Sequence, residues 1–215
     1  MLFRSLTGIT ITIKGAFTAN ASHGVVTLGA VTANGVSVTA GTVNLGGSVN
    51  AGAGNLSVSA TRPGPASPSK IVVASGKTLT GKSVNLLASA SYGGTISAGA
   101  ITATGGSMVV NAIGKLGSFA GNNKFKAKLG NLTANGAVQV NANGLSGTVS
   151  VGSIAAKGVT VNGAAGTGKS KVTVGKIVST GGVFAVNLSE TGPSGSLTAG
   201  SISAAGVGVT VHTRS

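Results

Sequence analysis

Apolar and polar side chains alternate along this chain in short bursts, and a glycine closes most of them. Val149-Ser-Val151 and Val159-Thr-Val161 are typical. Alternation at period two puts Val, Ile and Leu on one face of a strand and Thr, Ser, Asn and Lys on the other. No apolar stripe at helical spacing runs far, and Gly, Val and Thr disfavour helix, so the pattern predicts strands throughout.

The bursts recur as a unit. Gly24-Val-Val-Thr-Leu-Gly29-Ala-Val-Thr-Ala-Asn-Gly35-Val-Ser-Val38 is one copy. Gly94-Thr-Ile-Ser-Ala-Gly99-Ala-Ile-Thr-Ala-Thr-Gly105, completed by Met108-Val-Val110, is a second. Gly147 to Val161 and Gly195 to Val211 are two more. Looser copies begin near Gly41, Lys77, Phe125 and Lys171, and Gly8-Ile-Thr-Ile-Thr-Ile13 reads as the last part of another. The middle glycines, among them Gly29, Gly46, Gly99, Gly130, Gly152, Gly175 and Gly200, return roughly every 17–25 residues where copies adjoin, a period typical of solenoids.

Each copy reads as three strands, for example 149–151, 154–156 and 159–161, with glycine at the bends, where a Cβ would restrict φ and ψ. One such coil cannot bury its inner face. Stacking coils buries it and pairs each backbone N–H and C=O with the next coil. The expected fold is therefore all-β: a right-handed parallel β-helix (β-solenoid) of about eight to nine coils, a single domain over 1–215 with no capping helix. With rungs about 4.8 Å apart, the rod is roughly 40 Å long. An antiparallel sandwich is the structural alternative, but isolated single glycines suit corners better than two-residue hairpin turns.

The chain lengthens near 61–70, 114–124, 163–171 and 189–195. All four stretches fall between the third strand of one coil and the first of the next, which predicts loops along one corner of the rod. Six of their residues are basic, Arg62, Lys70, Lys115, Lys124, Lys169 and Lys171, and together they predict a basic ridge.

Charge makes that ridge interesting. The chain has 15 Lys and Arg, one acidic residue (Glu190) and a formal net charge of +14. Such a chain attracts anionic polysaccharide or an anionic cell surface, although the same charge also keeps a Gly- and Val-rich surface soluble and discourages edge-to-edge pairing. Aromatics are 3% of the chain, so bases find little to stack on and specific nucleic-acid reading is not expected.

Composition also argues against catalysis. With no Cys there are no disulfides and no thiol chemistry. One carboxylate side chain cannot supply the pair that glycoside hydrolysis uses, nor a Ca²⁺ cluster. His23 and His212 fall at opposite ends of the rod, and no Asp is present to orient either. Gly163-Ala-Ala-Gly-Thr-Gly168-Lys169-Ser170 matches the nucleotide-binding P-loop pattern, but a strand, Lys171-Val-Thr-Val174, is expected where a P-loop needs a helix. Ser67-Pro-Ser-Lys70 fits an S-x-x-K pattern inside a proline-broken loop, without companion motifs. Asn55-Leu-Ser57, Asn131-Leu-Thr133 and Asn187-Leu-Ser189 match the glycosylation pattern, as chance allows in so Ser- and Thr-rich a chain. No enzyme activity, cofactor or metal is expected. No apolar run approaches a membrane-spanning helix, and the apolar stretch after Arg4 is soon broken by Thr10 and Thr12, without a convincing leader cleavage site.

The G-[ST]-[VIL]-x-x-G-x-[IVL]-x-A units from about Gly24 to Val211 resemble those of filamentous-haemagglutinin-like proteins, bacterial exoproteins of two-partner secretion. The resemblance implies a right-handed β-helix, export from a Gram-negative bacterium, an extracellular or cell-surface location, and a role in adhesion or surface fibres. That family's secretion domain carries Asn-Pro-Asn motifs. None occurs here, where the four prolines are Pro63, Pro65, Pro68 and Pro193, so the resemblance points to a shaft-like piece.

Terminal coils of a solenoid expose strand edges. Strands begin almost at once, at Ile9, Ile11 and Ile13, and the last recognisable one includes Val207, Val209 and Val211. Either further sequence continues the stack, or copies of the chain stack head to tail, a contact that propagates into a filament. The leading expectation is a subunit of a filament or fibre. The alternative is a monomeric adhesin that binds a polyanion through the basic ridge. A third reading is ice binding through outward threonines such as Thr10, Thr12, Thr27, Thr32 and Thr102, weakened by the Ser, Asn, Ala and Lys mixed among them.

Overall fold

A computed structural model describes residues 9–62, 67–114, 123–181, 186–205 and 208–214. These form 21 strands in one continuous sheet, every pairing is parallel, and no helix occurs among the described residues. The chain is a parallel β-solenoid, wound on three faces.

The third face is the broadest and is complete over nine coils, from Thr18 through Ser37, Ser57, Asn85, Val109, Gln139, Thr160 and Asn187 to Thr210, each beside the next. The first face starts at Val25 and runs through Thr42, Lys70, Thr95, Lys126, Thr148 and Lys171 to Ser196. The second is narrow and carries Thr12, Thr32, Asn50, Thr80, Thr102 and Thr133 in successive coils.

The expected coil length holds only where no loop is inserted. Val25 pairs with Thr42, but Thr42 pairs with Lys70 and Thr95 with Lys126. The longer steps exceed the predicted range because a corner loop intervenes. Nor is lengthening confined to one corner: residues 74–78 bridge Ser69–Val73 and Leu79–Gly81, and the Lys77 N–H closes that turn on the Ala74 carbonyl.

Inside, like stacks on like. Val36, Leu56, Val84, Met108, Val138, Val159 and Val186 form one buried column of the third face. Beside it, Ala40, Ala60, Ala88, Ala112 and Ala142 form another. Two strands on opposite walls must share this narrow interior, so small and branched side chains fill it without voids. Phe125 is the exception. It fits because glycines lie on either side of it, Gly94 in the coil before and Gly147 in the coil after, and a Cβ on Gly147 would sit 2.6 Å from the Phe125 ring.

The corner glycines are there for a different reason than their torsions suggest. Among the described residues, φ is positive only at Gly35, Gly52, Gly76 and Gly93. The middle glycines instead stack: Gly130 lies on Gly99, Gly152 on Gly130, Gly175 on Gly152 and Gly200 on Gly175. A Cβ on Gly175 would come within 1.9 Å of the Gly152 carbonyl oxygen, so close approach between coils is what requires glycine here. Several of these bends do not interrupt the strand, and Ser146–Ala156 turns the corner at Gly152 as one element.

Candidate functional surfaces

Of the six predicted basic residues five are described, and Arg62 departs from the other four. Arg62 turns inward at the corner: its Nη2 donates to Thr42 Oγ1 (3.4 Å), and its Nε is buried, with no partner among the described residues, beside the space that Gly41 leaves. Lys115 lies outside the described residues. Lys169 is exposed in the loop before Ser170, where its carbonyl accepts the Gly147 N–H (3.0 Å). Lys124, Lys70 and Lys171 are exposed on strands of the first face.

That face carries five lysines on its strands, Lys70, Lys124, Lys126, Lys128 and Lys171. Lys124, Lys126 and Lys128 all point outward along Lys124–Ala134, between buried Phe125, Ala127 and Leu129. Across the coils, Lys70, Lys126 and Lys171 alternate with Thr95 and Thr148 in one column. Loop phase directed the expectation to the corner and missed Lys126 and Lys128. The alternation Lys124-Phe-Lys-Ala-Lys128 already marked them as outward strand positions.

The end surfaces carry most of the exposed aliphatic side chains. Among the described residues, the large apolar ones left exposed are Ile9, Ile13, Val25, Val72, Val209 and Val211. Ile11 is half-buried, beside Val31. Val207 lies outside the described residues. Val209 and Val211 extend the columns of Val186 and Leu188, but the last coil has no neighbour to cover them.

The residues that imitate catalytic motifs are placed in strands. Ser170 begins Ser170–Ser179, so the P-loop-like segment is followed by a strand, as expected. Lys70 of the S-x-x-K match lies in Ser69–Val73. Glu190 and His212, far apart in sequence, come to neighbouring coils, since Glu190 pairs with Thr213 and Ser189 with His212. Alternation sends them to opposite sides: His212 is exposed and Glu190 is buried.

Glu190 is the chain's one acidic residue, and it occupies the alanine column, following Ala142 and Gly163. Its Oε1 accepts a hydrogen bond from Ser170 Oγ, while Oε2 is buried with no partner among the described residues. Gly195 packs against the carboxyl, leaving no room for a Cβ. On the outer side of the third face, Asn141 Nδ2 donates to Asn111 Oδ1 (3.0 Å), and Ser189 Oγ donates to Asn162 Oδ1 (2.8 Å).

Among the described residues, no three His, Cys, Asp or Glu side chains gather as a metal site, and no helix is long and apolar enough to cross a membrane. No protein family, curated protein or solved structure matches this chain.

Proposed function

We propose that this chain is a non-enzymatic structural subunit of an extracellular filament or bacterial surface fibre, assembled by stacking copies end to end. The observation that carries the reading is the phase of the open columns. Ile202 ends a column that begins at Ile11, Val209 one that begins at Phe17, and Val211 one that begins at Ala19. A second copy placed beyond the last coil would set apolar side chain on apolar side chain in all three columns. The parallel pairing would continue across the join. The contact is heterologous and does not close on itself, so it propagates. The resemblance to filamentous-haemagglutinin-like repeats supports the same placement outside the cell.

Electron microscopy of the purified chain tests this. Filaments are expected, with an axial repeat of about 43 Å from nine rungs. Val209→Lys with Val211→Lys should abolish them. A wild-type protein that stays single particles at all concentrations overturns the reading.

A second reading is favoured by the lysine column. Lys70, Lys126 and Lys171 recur at every second rung, about 9.6 Å apart. That spacing suits a linear polysaccharide carrying an acidic group on alternate sugars. In this reading the chain is a binding module that works as a monomer.

A further inference from the structure

Among the described outward positions of the third face one charge occurs, Arg214 in the last coil, at the end of the column that holds Ser89, Ile113 and Asn143. Its two central outward columns run Thr18, Ser37, Ser57, Asn85, Val109, Gln139, Thr160, Asn187, Thr210 and Asn20, Thr39, Ser59, Leu87, Asn111, Asn141, Asn162, Ser189, His212. Neither contains Lys, Arg, Asp or Glu, in a chain of net charge +14. The exposed lysines sit on the first face, the second face and the corners, as Lys70, Lys126, Lys128, Lys171, Lys176, Lys82 and Lys157 do.

From this we infer that the third face is a docking surface for a second copy of the same chain, laid side by side and antiparallel. Three observations converge on that occupant. Like-charged copies repel wherever their lysines meet, so the face whose central columns carry no lysine is the one on which they approach with least of that cost. Its side chains are amides and hydroxyls that both donate and accept, which suits a self-complementary two-fold contact. Its outward apolar residues, Leu87, Val109 and Ile113, lie on Val84–Ala90 and Met108–Gly114, the fourth and fifth of nine coils. A two-fold axis through the middle coil brings that half-buried cluster onto its own copy, with the polar residues as a rim. Nine rungs of five- to seven-residue strands make a patch on the order of 800 Å² per partner, the size of a standard specific interface.

This inference goes beyond end-on assembly and stands or falls separately. The test uses the full chain carrying Val209→Lys and Val211→Lys, so that the ends are blocked. Sedimentation velocity should then report twice the chain's mass. Adding Val109→Lys and Asn141→Lys should halve it, while Thr95→Lys and Thr148→Lys on the first face should leave it unchanged. Far-UV circular dichroism checks that each variant keeps its strands. The chain has no cysteine, so a second readout is clean. Val109→Cys, near the axis, should form disulfide-linked dimers on mild oxidation, and Thr148→Cys should not. A single-chain mass in the end-blocked protein, or equal cross-linking by both cysteine variants, overturns the proposal. Intact filaments that merely become narrower in the Val109→Lys and Asn141→Lys chain would uphold both assemblies.

Discussion

Gly175 and Gly46 occupy the same corner in different coils, yet an added methyl group meets very different surroundings. At Gly175 it would strike the Gly152 carbonyl oxygen at 1.9 Å, whereas at Gly46 its nearest neighbour is the Leu28 carbonyl oxygen at 3.5 Å. Gly175→Ala should therefore cost about 1–3 kcal/mol through forced backbone displacement. Gly46→Ala should stay within about 0.5 kcal/mol of wild type. Urea denaturation followed by circular dichroism compares the two. The glycine period was legible in the sequence, but the reason for it was not. Torsion preference was the natural reading of a corner glycine. The contact between stacked backbones appears only once coils with unequal loops are brought into register.

Glu190 gives the second comparison at this scale. Among the described residues its carboxyl has one partner, Ser170, and it replaces an alanine methyl in the column. Ser170→Ala should destabilise by about 1–3 kcal/mol, because it strips a buried acceptor of its donor. Adding Glu190→Ala should recover most of that loss, since it restores the alanine pattern and removes the unpaired oxygen. A double-mutant cycle from denaturation midpoints reads the coupling. Additive effects would show that the pair does not interact. Alternation with Val186 and Leu188 already marks Glu190 as inward. Its place in the alanine column depends on alignment with Gly163 across an intervening loop.

At the scale of a strand, alternation carries nearly all the information. It separated inner from outer residues, although the first two expected strands of a coil fuse in places, as in Ser146–Ala156. Alternation alone does not say which outward residues share a column, because that follows from loop lengths. Hence Lys70, Lys126 and Lys171 come together although they belong to strands far apart in sequence. The polyanion reading is tested on this element. Replacing the three lysines by Gln should lower the salt concentration needed for elution from a heparin column. Replacing Lys82, Lys157 and Lys77 should lower it much less. Equal losses would mean that net charge alone retains the protein. The second face supplies a contrast: five threonines share one column with Asn50 over the first six coils, and the column then passes to Ala155, Val178 and Ser203.

For the molecule as a whole, each coil touches chiefly the coil before and the coil after, so stability accumulates by neighbours rather than from one centre. The solenoid and its three faces were readable from the repeat. Of the six end residues singled out in the sequence, Ile9, Ile13, Val209 and Val211 are exposed, Ile11 is half-buried and Val207 lies outside the described residues. The uncharged central columns of the third face were not foreseen, because net charge is a property of the chain and carries no directions. The structure sorts that charge onto particular sides and so separates surfaces suited to different partners.

The stacking of like on like also governs how such a rod can grow. Gly147 pairs with Ser170, so the segment 147–169 is one complete turn. Copied in tandem, it would slot into every column without disturbing those already present. Partial copies would break all of them at once. Length is thus a quantised trait of this architecture, gained or lost in whole turns by duplication within the gene, while the cross-section stays the same.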